Sequence, residues 1–448
     1  MTKNFNFYLI FILIPFVLSK ILFISFLGYG NGIPFGGMHH PDYTLLQNDL
    51  YETMKFWHYS PPLINFILGI LLKLFNGNLI LIDKIYFFYN LFLSFLIITI
   101  GYYFCLFFKI SKTKTIILSL FLVLNPNLIF YENFSRPVYS HTVACLFAII
   151  CFFSYKYFYT KKDKYIFLLY FTLCLLTYTW TLFHPLLLII VTFFLFFFIK
   201  IKNKFFITTA IVFILISLLP LIKNKIIFNF FGGGSHMWIQ IAQSIPGHRA
   251  GCLQPIKDII RSERLSFAPT PDKLSKLHQS MKEKPVYEEE NHLNLNHVAY
   301  LRNIDSCKNW FIETILKDPF LYPRKRIESL VASHSKFAFE FNVGSPDILK
   351  EFFKYKDKNI LKKSKQILIL LYMLSLYLLI FYLILFTKDK KLKYFLSTIM
   401  LVYFYLLGIG HLFNGYEQER MLYGGFFIHF LFFLLLNKRL IMIKKNEY

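Results

Sequence analysis

Long apolar runs separated by short polar gaps dominate the chain. Ten of them, at about 7–28, 81–108, 115–131, 138–158, 165–182, 185–199, 205–222, 366–387, 392–412 and 421–437, come near the roughly 17–25 residues a helix needs to cross hydrocarbon. The pattern predicts an all-α polytopic membrane protein of about ten transmembrane helices. One further run, Pro62 to Phe75, is only about 14 residues long, which suits a re-entrant or interfacial helix better than a crossing one.

Two polar stretches break the pattern. The first, 29–61, follows the first run and carries His39, His40, Asp42, Asp49, Glu52 and His58. Within it Leu46, Leu50, Met54 and Trp57 recur at helical spacing, so Tyr43 to Trp57 reads as an amphipathic helix on the membrane surface. The second, 223–365, has clustered charge, Gly232-Gly233-Gly234-Ser235, and helical patterns over Cys307–Leu316 and Pro323–Phe339. It reads as a mainly helical domain sitting on the membrane surface. Three regions result: a transmembrane core over 1–222 that includes the first loop (29–61) and the short helix (62–75), the domain over 223–365, and C-terminal transmembrane helices over 366–448.

Composition agrees: 56% hydrophobic residues and a mean hydropathy of +0.50 exclude a soluble globular class. The net charge of +24 could point to nucleic acid, but its placement accounts for it otherwise. If Pro62–Phe75 stays out of the bilayer, one side collects Lys3 and the basic loops at 109–114, 156–164, 200–204, 388–393 and 438–445. That side holds about two thirds of the net charge, opposed only by Asp163, Asp389 and Glu447. The excess of Lys and Arg makes it cytoplasmic, with both termini. The first loop and 223–365 are then extracytoplasmic, and no nucleic-acid partner is expected. The first run lacks a small-residue cleavage site and reads as a retained span. Cys105, Cys145, Cys151 and Cys174 lie in apolar runs, whereas Cys252 and Cys307 could pair outside the cytoplasm.

Candidate chemistry collects on the external face. A carboxylate at the membrane interface, Asp42 or Asp49, could act as general base on an acceptor hydroxyl or amine. Asp42 could equally cap a helix; Glu52, like Asp49, could contact substrate or belong to a solvated face. His58 could orient a substrate phosphate, share the proton, or simply pack on Trp57. Arg136 and Arg420 stand at external span ends, where they could bind phosphate or merely pair with neighbouring glutamates. Lys20, inside the first run, is a functional candidate by location. His184, with His141, lies near an external span end and could touch substrate or be a hydrogen-bonded packing residue. His39, His40 and Asp42 could hold a divalent metal, though adjacent histidines rarely share one ion; no cofactor is otherwise called for.

Several segments resemble the GT-C glycosyltransferases, in particular the protein mannosyltransferase and aminoarabinose transferase kind. They are Asp42, the stretch HYSPPLINFILGILLKLF at 58–75, Tyr131–Arg136 after Asn125-Pro126, Phe183-His184-Pro185, NKIIFNFFGGGSHMWIQIA at 224–242, Asn294-Leu295-Asn296-His297, and the span starting at Arg420. The resemblance implies inverting transfer of a sugar from a polyprenyl-phosphate donor to a lipid, glycan or protein acceptor. A first-loop Asp would be the base, in a bacterial inner membrane rather than the endoplasmic reticulum. The family often has two adjacent acidic residues in this loop; here Asp42 is followed by Tyr43 and Asp49 stands apart, so both remain candidates. A lipid or sugar transporter and an envelope polysaccharide polymerase or ligase are the alternatives.

Overall fold

The computed structural model describes residues 2–27, 40–41, 43–125, 128–129, 131–132, 139–180, 183–234, 238, 241–242, 245, 286–287, 292–293, 296, 299–325, 377–378, 381–382, 384–413 and 423–435 of the 448. Asp42, Arg136, Arg420, His39 and Cys252 fall outside these residues.

The described chain is helical apart from one short antiparallel ladder, β1 (Val286–Tyr287) on β2 (His292–Leu293), which the helical reading of 223–365 did not anticipate. Among the described residues, four helices are long and apolar enough to cross a membrane: α5 (Leu79–Phe107), α7 (Tyr139–Thr160), α10 (Lys204–Phe228) and, over Lys390–Gly408, α12 (Lys390–Phe413). Shorter apolar helices accompany them: Ile12–Leu22 within α1 (Thr2–Leu27), α4 (Leu63–Leu74), α9 (Leu186–Phe193, prolonged by a π turn over Phe194–Phe198) and α13 (Phe426–Leu435). The chain is a membrane protein by the length and composition of these helices.

The central helix is α7, which packs on α5, α8 (Asp163–Thr179) and α12. Nearly every side chain from Ser140 to Ala148 is buried, including Ser140, His141 and Thr142. By contrast α1, among its described side chains, buries only a stripe, Ile12, Phe16, Ser19 and Lys20, at the 3–4 spacing of one helical face. Its Leu13, Ile14, Val17, Leu18, Ile21 and Leu22 are exposed, as expected of a face that lipid would cover.

Two expectations need correction. The run at 115–131 is not one helix: α6 covers Lys112 to Val123, about 18 Å at 1.5 Å per residue, and residues 128–129 and 131–132 are helical again beyond Asn125. Asn125-Pro126 ends α6: the residue before a proline leaves the helical region, and the Asn125 side chain accepts from the Leu128 amide at 3.3 Å. The amphipathic stretch Tyr43–Trp57 is two short helices, α2 (Tyr43–Asn48) and α3 (Leu50–Lys55), separated at Asp49. Asn and Asp compete locally with helical hydrogen bonding, and Asn48-Asp49 is where the helix breaks. The apolar stripe of this stretch meets protein, since Leu46 and Leu50 pack on Leu68 and Leu72 of α4 and on Ile82 and Tyr86 of α5. Gly69 allows the approach, because a Cβ there would overlap the Leu50 side chain. At 12 residues, α4 is shorter than a membrane-crossing helix needs.

Candidate functional site

The first loop is a folded platform. Asp49 sits at the α2–α3 break, exposed, its backbone carbonyl accepting from the Thr53 amide at 2.9 Å while its side chain makes no cap bond to α3. Glu52 pairs with Lys55 one turn on, at 2.9 Å. His40 bonds through Nδ1 to the Asn65 side chain of α4 at 2.5 Å. Among the described residues no group of three His, Cys, Asp or Glu side chains gathers as a metal site would require.

The loop's exit is clamped from two sides. His58 is fully buried; its amide donates to Asn296 Oδ1 and its Nε2–H to the Asn296 carbonyl, each at 3.0 Å. The imidazole lies edge-on to Phe228 at 5.1 Å. Lys223, near the end of α10, donates to the carbonyls of Trp57 and Met54, where α3 ends. A cation there also favours the negative end of the helix dipole. Trp57 and Tyr59 are buried with Ala242 and Cys307, flanked by Trp238 and Trp310. Cys307 is disulfide-bonded. Each of these contacts joins the first loop to the end of α10 or to the polar stretch beyond it.

A second polar centre lies within the helices. Lys20 of α1 is ion-paired with Glu132, and both side chains are buried, 6% and 0% exposed. Beside the pair, Asn90 Nδ2 donates to the Glu132 carbonyl at 3.5 Å, and the Asn90 carbonyl accepts from His141 Nε2 at 3.0 Å. Since a carbonyl only accepts, Nε2 carries the hydrogen, and in the neutral ring Nδ1 accepts from the Tyr423 hydroxyl at 2.6 Å. Ser94, 2.9 Å from His141 Nε2, also neighbours the Glu132 carboxylate. Tyr423 stacks on Tyr131 with ring centroids 3.7 Å apart. The centre thus joins α1, α5 and α7 to residues 131–132 and to the chain just before α13.

His184 is half-buried and accepts at Nδ1 from the Leu186 amide at 3.4 Å, capping the first turn of α9. Burial lowers its basicity below that of an ordinary histidine.

Of the residues singled out from sequence, His58 is in the loop clamp, Asp49 and Glu52 lie on the loop surface, and Lys20 belongs to the buried centre about 10 Å from the end of α1. Lys223 and Tyr423 were not singled out, and Glu132 and Asn296 were noted only within longer segments. Glu132 had a signal: Lys20 inside one apolar run and Glu132 just past the end of another are isolated opposite charges. No protein-family model, curated protein or solved structure matches the chain.

Proposed function

We propose that this chain is an integral membrane glycosyltransferase of GT-C type, with about ten spans, both termini cytoplasmic and its active site extracytoplasmic. In this reading an acceptor hydroxyl or amine gives its proton to Asp42 or Asp49 as it attacks the anomeric carbon. The bond from that carbon to the polyprenyl phosphate breaks with inversion, and the lipid phosphate leaves. Arg136 and Arg420 would balance the phosphate charge; Lys20 could join them only by exchanging its Glu132 partner for the donor. The acceptor is a lipid, glycan or protein.

The observation that carries the reading is the first loop: an acidic, folded platform that presents Asp49 at a helix break and is clamped by Lys223 and Asn296. Catalytic carboxylates need such fixed placement. The disulfide at Cys307 supports an oxidising, extracytoplasmic setting for the same region. The test is transfer in proteoliposomes from a panel of polyprenyl-phosphate sugars, comparing wild type with Asp42→Asn and Asp49→Asn. One of the two should lose transfer while expression holds; full activity in both would overturn the assignment.

One observation favours a transporter instead: the buried Lys20–Glu132 pair beside His141, since ionisable groups among membrane helices often line transport pathways. Substrate movement across the same vesicles without any glycoside product would decide for that reading.

A further inference from the structure

The helix α11 (Ala299–Lys317) has two differently occupied faces. On one, Cys307 is buried and packs with Trp310 against Trp57 and Tyr59, and Phe311 lies edge-on to Tyr322 at 5.0 Å. On the other, Ile312 and Leu316 are 41% and 76% exposed, one turn apart on a single stripe, and Phe320 just beyond is 79% exposed. Lys308, exposed, continues this line one turn before Ile312, and exposed Lys317 and Arg324 stand beside it with Lys325; of the acidic residues in the segment, Glu313 adjoins Leu316 and Asp318 pairs with Arg324 at 3.8 Å.

The height of this helix follows from its contacts. Lys223 lies nineteen residues beyond Lys204 on α10, about 28 Å along the axis at 1.5 Å per residue. That is close to the ~30 Å thickness of a hydrocarbon core, so Lys223 stands at headgroup level. Lys223 bonds to the Trp57 carbonyl, and Trp57 packs with Cys307. One residue of the first loop therefore separates α11 from the headgroup end of a membrane-crossing helix. An apolar stripe with basic flanks at that height matches an interfacial helix.

We propose that the outer face of α11 docks on the bilayer that the chain itself spans. Ile312, Leu316 and Phe320 enter the acyl boundary, and Lys308, Lys317 and Arg324 face anionic headgroups. The proposal rests on the membrane character of the chain and is independent of glycosyl transfer.

The test uses the full-length protein in nanodiscs of phosphatidylcholine with or without phosphatidylglycerol. Bimane is attached to Leu316→Cys or, on the far side of the helix, to Thr314→Cys, with wild type reporting background labelling. Nitroxide-bearing lipid should quench the probe at 316 at least about threefold more than at 314, as for a helix half sunk in the interface. Lys308→Glu with Lys317→Glu should reduce that quenching in the anionic discs. Phe320→Trp provides a second reporter without thiol chemistry, and its emission should shift to the blue. Equal quenching of both positions by aqueous iodide, with none by lipid, would overturn the proposal. So would protection that arises only in discs holding two protein copies, which would assign the face to self-association.

Discussion

Replacing Glu132 by Gln tests the buried ion pair while keeping side-chain shape. At about 3 Å separation and an effective dielectric of ~20, the attraction between the charges is about 5–6 kcal/mol. Desolvating each ion costs several kcal/mol, so most of this attraction only offsets burial and the intact pair adds little net stability. Removing one partner is different, because the Lys20 ammonium stays where solvent does not reach it. A buried charge stripped of its partner costs about 3–5 kcal/mol, roughly a hundred- to several-thousand-fold in the unfolding equilibrium at 1.4 kcal/mol per decade. Lys20→Met should cost a similar amount by orphaning Glu132. The double replacement removes both charges and should recover most of the loss, giving a coupling of about 3 kcal/mol. Equilibrium unfolding of the four proteins in mixed micelles measures this cycle. Additive single effects, or a Glu132→Gln protein within about 0.5 kcal/mol of wild type, would refute the placement of the pair.

Asn296→Ala should leave the buried His58 amide without its acceptor, a loss of about 1–3 kcal/mol, while Asn296→Asp retains an acceptor; hydrogen exchange at Trp57–Tyr59 should accelerate only in the alanine variant. Gly425→Ala places a methyl group on the Tyr403 ring and should cost about 1–3 kcal/mol by overpacking, read as a lowered melting temperature. For His184 the folded state resists protonation. Its contribution should be complete above the ordinary histidine value near ~6.5 and decline as pH falls through that value and then through the lower folded one. Protonating Nδ1 also forfeits the bond to the Leu186 amide; melting at pH 8 and pH 5 should therefore differ less in His184→Gln than in wild type.

Elements governed by local pattern were readable from the chain. The run at 81–108 is α5 over Leu79–Phe107, 138–158 is α7 over Tyr139–Thr160, and 62–75 is the short α4. In each, hydrophobic length and flanking residues decide the helix without reference to the rest of the molecule. The break at Asp49 escaped because a continuous apolar stripe is compatible with one helix or with two short ones in register. The partners of Lys20 and His58 escaped for another reason. Glu132 is 112 residues from Lys20 and Asn296 is 238 from His58, and only packing of the helices brings them together. His58 shows what this does to a chemical reading: both its backbone amide and its Nε2 are engaged by Asn296, so it serves here as an anchor for the loop that bears the carboxylates.

α10 has a fixed length, 25 residues or about 37 Å, whereas the membrane around it does not. Bilayers differ by several ångströms in hydrocarbon thickness. In a thicker one the ammonium of Lys223 sinks toward the acyl chains and its bond to the Trp57 carbonyl is drawn down with it; in a thinner one the last turns of α10 stand clear of the headgroups. The strut that holds the first loop is thus also a gauge, linking the height of the acidic platform to the lipid composition of the membrane in which the protein resides.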